Sequence, residues 1–196
     1  QEMVYTHAGT ERIIRYAYER AMTRPGKKLT LVDKANAIRA HDLYRKTFER
    51  VGEEYPDIRK DYAYIDAACM WLIKNPESFD TVVTTNMFGD ILTDLGAALQ
   101  GGLGVAAGGN IHPGKDSVFE PIHGSAPKYK GQKKANPIAT ILAAGMMLDH
   151  LGETESADKV EAAVIRVLPK LPSLGTDSGV PTDRIGDMVV EELAAG

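Results

Sequence analysis

The sequence predicts an α/β protein, and two features of its first hundred residues carry that prediction. Short β-rich runs alternate three times with stretches of helical periodicity, the pattern of strand–helix units around a parallel sheet. Each run stops at a polar cluster (Asp33-Lys34-Ala35-Asn36, Asp66, and Gly89-Asp90), and ligands of such sheets collect beyond the carboxyl ends of strands. A third feature is size. The chain's 196 residues, 43% hydrophobic and 26% charged, suffice for a soluble globular protein of one large or two small domains.

In chain order, Thr10 precedes Glu11 and an apolar series Ile13, Ile14, Ala17 and Ala21 at helical spacing, so the first element is a helix that Arg24-Pro25-Gly26 ends. Leu29 to Val32 is a β-rich run, followed by a helix through Leu43, Phe48 and Val51 to Pro56. Tyr62 to Ile65 is a second strand, and the helix Ala67 to Lys74 stops at Asn75-Pro76. Thr81 to Thr84 is a third strand, leading to Gly89 and a helix that carries Asp90. A Gly-rich passage, Gly101 to Gly114, then separates this half from Phe119-Glu120-Pro121-Ile122-His123 and three helical segments, Asn136 to Leu151, Ser156 to Leu168 and Thr182 to Leu193. The domain boundary is placed near residue 100. No internal repeat or low-complexity segment is present.

A net charge of -4 argues against nucleic acid as a partner, because neutralising phosphates needs a basic surface. Lys27-Lys28 and Lys133-Lys134 read as solvated pairs. Cys69 is the single cysteine, so no internal disulfide or cysteine-based zinc site can form; its apolar setting reads as a core thiol in a reducing compartment. The longest apolar run, Ile138 to Leu148, is too short to span a bilayer, and the N-terminus lacks the charged-then-apolar pattern of a signal peptide. No membrane partner and a cytoplasmic location are expected. The start at Gln1, without an initiator Met and just ahead of a helical segment, reads as a piece of a longer chain.

Asp90 and Asp94 stand four residues apart near the start of a helix, so both carboxylates project from one face. Held that close they repel unless a divalent cation or shared proton offsets the charge, although such pairs are more often a solvated helix face. Gly102-Leu103-Gly104-Val105-Ala106-Ala107 formally fits a dinucleotide fingerprint but follows a helix rather than a strand. Gly109 to Lys115 resembles a triphosphate loop, yet Asp116 replaces the Ser or Thr that would bind magnesium and Pro113 removes a backbone N–H. Both runs read as mobile loop. His123-Gly124-Ser125-Ala126-Pro127-Lys128-Tyr129-Lys130-Gly131 gathers permissive glycines, an imidazole, a phenol and two cations, an assortment that suits an adenosine phosphate; a polar surface loop is the plainer reading. His7, His41 and His150 fall on helices and His112 in the loop, none at metal-ligand spacing. Lys34 follows a strand beside Asp33 and Asn36, where nearby charges could move its pKa toward neutrality; a plain exposed lysine is the commoner outcome.

Together, Leu31-Val32-Asp33-Lys34-Ala35-Asn36, Asp66, the run Asn86 to Leu95, Gly101 to Gly104 and Phe119 to Pro127 closely resemble the β-decarboxylating dehydrogenases, the 3-isopropylmalate and isocitrate enzymes and their homoisocitrate and tartrate relatives. The resemblance runs in order across nearly the whole chain and is loose around Gly175 to Gly179. It implies an isopropylmalate/isocitrate dehydrogenase-like fold, a mixed sheet flanked by helices, with the first half of the fold missing. Residues 1–100 would then be a partial dimerising substrate and metal domain, and residues 101–196 the C-terminal part of the cofactor domain.

The activity implied is oxidation of a 2-hydroxy acid by NAD or NADP followed by decarboxylation, as in the isopropylmalate step of leucine biosynthesis. Positions matching Asp90 and Asp94 bind Mg2+ or Mn2+, with Asp66 contributed by the neighbouring subunit of a homodimer. Lys34 matches a catalytic lysine that also crosses the interface, with Asp66 beside it in the catalytic set. Asn36 matches a residue near the nicotinamide, and His123, Gly124, Ser125, Ala126, Lys128, Tyr129 and Asn136 match cofactor-binding positions. The phrase Phe119 to Pro127 leans toward 3-isopropylmalate, whereas Lys128-Tyr129 leans toward NADP-linked isocitrate enzymes. The substrate-binding arginines and a catalytic tyrosine of the family lie in its first half, so the chain alone is expected to be inactive. A non-catalytic dimerisation or regulatory module is the rival from another class; a phosphate-loop hydrolase is disfavoured by Asp116.

Overall fold

The computed structural model describes residues 2–176 and 178–196, so Asp177 of the Gly175–Gly179 loop lies outside the described residues, as does Gln1. The chain divides into two compact units, one reaching to Gly96 and the other running Ala97–Gly196. The sequence placed the boundary near residue 100; the division falls inside a helix rather than in the Gly-rich passage.

The first unit opens with α1, His7–Thr23. Its cap is Thr6, not a residue around Thr10: the Thr6 hydroxyl accepts the Gly9 N–H at 3.1 Å, one turn earlier than the apolar periodicity begins. Ile14, Ala17, Tyr18 and Ala21 form its buried stripe. The strands β1 (Lys28–Asp33), β2 (Arg59–Tyr64) and β3 (Thr81–Val83) make a parallel sheet in the order β2-β1-β3. As the central strand β1 is buried at all six residues, the pattern of a parallel strand covered on both faces. Its alternation is legible in the packing. Leu29 and Leu31 join Tyr18, Phe48 and Val51 on one side, while Val32 joins Ile65, Ala68, Phe88 and Leu92 on the other. The first side is covered by α1 and α2 (Asp42–Gly52), the second by α3 (Ile65–Lys74) and α4 (Asn86–Gln100).

Two sequence readings are corrected here. Lys28 is no solvated cation: it is 8% exposed, and its Nζ reaches the Ser78 carbonyl at 2.8 Å and the Asp61 carboxylate at 2.6 Å. Its position in the central strand overrides the usual preference of lysine for solvent. Cys69 is half-buried, packed at the edge of the Val32–Phe88 cluster rather than within it.

In the second unit a 3₁₀ turn (Leu103–Val105) leads to an antiparallel pair, β4 (Ala107–Asn110) and β5 (Val118–Pro121). The 3₁₀ turn and β4 take up much of the stretch read from its glycines as mobile loop, while residues 111–117 between the strands stay irregular. The glycines belong to packing: a Cβ at Gly108 would lie 3.0 Å from the Ile122 side chain, and one at Gly109 would lie 3.1 Å from the Phe119 ring. Gly104 is equally constrained, with the Leu174 carbonyl 2.9 Å from where its Cβ would stand, so the fingerprint spacing here answers close backbone approach. The helices α5 (Ile138–His150), α6 (Thr154–Val167) and α7 (Thr182–Ala195) follow, and Ile138, Val164, Val167, Ile185 and Val189 form their core. Parallel and antiparallel pairings thus occur in separate sheets. No helix among the described residues is long and apolar enough to cross a membrane.

Candidate functional site

In the first unit the chemistry-bearing residues gather beyond the carboxyl ends of β1 and β2. Lys34 follows β1 directly, and its Nζ donates to Asp66 Oδ1 at 2.6 Å. Asp66, placed by the sequence just past a strand, sits in the first turn of α3, because β2 ends at Tyr64 and Ile65 already belongs to the helix. The Lys34 hydrogen bond, helped by backbone N–H groups of that first turn, holds the Asp66 carboxyl below the usual carboxylate range. Both side chains still reach solvent, Lys34 at 25% and Asp66 at 68%.

Three backbone groups of the turn that presents Lys34 are held. The Lys34 N–H donates to His41 Nδ1 at 3.0 Å and the Ala35 N–H to Asp33 Oδ1 at 2.9 Å, while the Lys34 carbonyl accepts from Ala37 and Ile38. Asp33 is fully buried and also accepts the Tyr62 hydroxyl at 2.6 Å. Burial and this bond push the Tyr62 phenol well up. Asn36 lies exposed on the same turn. The sequence treated His41 as an unremarked helical histidine; its spacing of seven residues from Lys34 carries no signal without the fold.

Asp90 and Asp94 lie on the exposed side of α4, one turn apart, while Phe88 and Leu92 of the same helix are buried. Thr93, between them, spends its hydroxyl on the carbonyls of Gly89 and Asp90. Hard carboxylate oxygens in this arrangement suit a small divalent cation. Among the described residues, however, no three His, Cys, Asp or Glu side chains converge, so one copy of this unit offers the Asp90–Asp94 pair without a third carboxylate.

In the second unit the stretch after β5 forms a bend followed by a 3₁₀ turn, Pro127–Tyr129. His123 Nδ1 donates to the Gly124 carbonyl at 2.9 Å, and both residues border a surface cleft of about 390 Å³ with Gly108, Asn110 and Glu120. Ser125 is exposed. Ala126 has φ 42°, a left-handed conformation rare outside glycine, and such strain tends to collect at binding loops. Lys128 is exposed with its Nζ 4.8 Å from the Tyr129 ring centre. Thr176 donates to the Tyr129 hydroxyl at 3.5 Å, and that bond, with the Lys128 ammonium, lowers the phenol's pKa. Asn136 is buried; its amide donates to the Leu174 carbonyl and its oxygen accepts the N–H of Ile138, the first residue of α5. Lys133, read as solvated, pairs with Asp183.

The sequence model of the isocitrate/isopropylmalate dehydrogenase family matches residues 1–189, a span that takes in the Gly175–Gly179 loop. The chain is 48% identical over 198 residues to the 3-isopropylmalate dehydrogenase of Thermobifida fusca, covering 99% of the chain and 55% of that relative. It is 54% identical over 164 residues to the 3-isopropylmalate dehydrogenase of Beutenbergia cavernae, covering 82% and 47%. Among solved structures, the isocitrate dehydrogenase of Methylococcus capsulatus superposes with a TM-score of 0.92 at 43% identity, over 98% of this chain and 58% of that one. The TT0538 protein of Thermus thermophilus gives 0.89 at 39% identity, over 98% and 40%. The chain therefore spans about half the length of the curated relatives it matches. A family match over nearly every residue, on a parallel sheet whose strand ends carry Lys34 and Asp66, shows that the chain belongs to the isocitrate/isopropylmalate dehydrogenase family.

Proposed function

We propose that the protein carrying this chain oxidises a 2-hydroxy acid with NAD or NADP and decarboxylates the product, with 3-isopropylmalate as substrate and Mg2+ or Mn2+ as cofactor, in the cytoplasm. The observation that carries the reading is the Asp90–Asp94 pair, two hard carboxylates one turn apart on the exposed side of α4, the ligand type a small divalent cation takes. When bound, the ion supplies a Lewis acid that stabilises negative charge on the substrate's oxygens. Asp66 completes the set from a second copy of the chain. Because Lys34 and Asp66 are hydrogen-bonded to each other, they would reach a neighbour's site together, Asp66 as ligand and Lys34 helping to remove the hydroxyl proton. On this reading residues 1–100 form the dimerising part, with Asn36 near the nicotinamide. Residues 101–196 bind the cofactor through His123, Gly124, Ser125, Ala126, Lys128, Tyr129 and Asn136.

The names of the relatives support 3-isopropylmalate. Isocitrate is the second reading, supported by the cation and phenol that Lys128 and Tyr129 place side by side. The test uses a full-length protein. Asp90→Asn should abolish Mn2+-dependent reduction of NAD(P) with both substrates while the dimer persists in sedimentation; an unchanged Mn2+ titration would sink the assignment.

A further inference from the structure

We propose that His41 is a positioning residue for Lys34, an inference that rests on the reading of Lys34 as the proton-transferring group. The imidazole is 1% exposed and lies seven residues beyond the lysine, at the end of the 3₁₀ turn Arg39–His41 that leads into α2. Its Nδ1 accepts the Lys34 N–H at 3.0 Å, so in the neutral ring the proton resides on Nε2, which donates to the Tyr5 hydroxyl at 3.3 Å. Burial lowers the pKa of His41, against a smaller opposing pull from Asp33, and so keeps Nδ1 free to accept.

The ring is also fixed in place. Tyr5 meets it edge-on at 5.4 Å and Phe88, in the first turn of the helix bearing Asp90 and Asp94, meets it edge-on at 5.6 Å. Tyr44 of α2 lies 6.4 Å away. One buried ring therefore ties the backbone of the lysine turn to the start of the carboxylate helix. Asp33 performs the complementary task one residue on, taking the Ala35 N–H, so the two amides either side of the Lys34 Cα are both anchored by buried side chains. A lysine on a long flexible stem can be placed within a few tenths of an ångström only if its Cα is held.

The test compares His41→Asn, whose side-chain oxygen falls near the Nδ1 position, with His41→Gln, whose polar atoms reach the Nε2 position instead. The proteins are full-length, and the readouts are hydrogen exchange at the Lys34 amide and steady-state kcat and KM. Loss of one hydrogen bond is expected to speed Lys34 exchange about three- to tenfold in His41→Gln. That variant should also lose kcat about tenfold or more, with KM for the hydroxy acid within about twofold, since substrate contacts are untouched. His41→Asn should lose much less of both. Wild-type exchange at Lys34 in His41→Gln overturns the proposal whatever the activity, as does an Asn variant that behaves like the Gln one. A Lys34→Met variant that keeps full kcat would instead remove Lys34 from the reaction, a failure that the exchange data do not share.

Discussion

Replacing Gly52 with alanine should destabilise the first unit, and removing one oxygen from Tyr18 should rescue it. Gly52 closes α2 and is buried. A Cβ there would lie 2.4 Å from the Tyr18 hydroxyl, 2.8 Å from Lys60 Cδ and 3.1 Å from Tyr18 Cζ. Lys60 is a flexible chain tethered to Glu49 and can swing aside. Tyr18 cannot: it is 0% exposed, stacks on Phe48 and Tyr55 with ring centres 5.3 and 5.0 Å away, and donates to the Phe48 carbonyl at 3.0 Å. Alanine in a helix gains about 0.5–1 kcal/mol over glycine. Against this stand overpacking of about 1–3 kcal/mol and disturbance of a buried hydrogen bond worth about 1 kcal/mol. The net expected for Gly52→Ala is a loss of about 1–3 kcal/mol. Tyr18→Phe removes the nearest contact at the cost of its hydrogen bond, so in that background the alanine should cost at least about 1 kcal/mol less. Urea denaturation of the four proteins, followed by far-ultraviolet circular dichroism, gives the coupling directly. Additivity within about 0.5 kcal/mol, or a neutral Gly52→Ala in the wild-type background, would refute the reasoning.

The other expectations concern charge. A full-length protein with Lys128 should prefer NADP modestly, since a charge-assisted bond to the 2′-phosphate is worth about ten- to a hundredfold, and Lys128→Asp should remove the preference; steady-state kinetics with both cofactors decides it, and a strong NAD preference that the substitution leaves unaltered would show that this loop does not read the phosphate. The pKa of His41 is depressed on folding, so its contribution is present above its unfolded value of 6.5 and is lost as pH falls through that value toward the folded one. Stability should therefore decline as pH falls through 6.5, by at most about 1.4 kcal/mol per pH unit from this group, and His41→Asn should flatten that slope in urea titrations at each pH. At lower pH Glu11 and Glu54, held down by hydrogen bonds from Arg50 and Arg15, and Glu192, held down by Lys170 and Arg166, lose their contributions in turn. A stability profile flat down to about pH 4 would contradict both assignments.

The sequence by itself determined the local order of the molecule and the family. Period-two apolar runs and period-3.6 stripes placed β1, β2, β3 and the seven α-helices within a few residues, because each element's buried face is written in its own spacing. Asp90 and Asp94 share one side of a helix by arithmetic alone. Tertiary structure decided what depends on partners distant in the chain. The hairpin β4–β5 was invisible because its glycines serve the Phe119 and Ile122 side chains packed over them, and a glycine carries no periodic signal of its own. Lys28 is buried because the sheet puts it between the Ser78 carbonyl and Asp61, fifty and thirty-three residues away. The clearest case is His41. Its composition and spacing mark nothing, and only the turn that folds Lys34 back onto it turns a helical histidine into the acceptor of the lysine's own amide. Hydrogen-bond acceptance is a property of two groups brought together, and sequence periodicity reports one face of one element at a time.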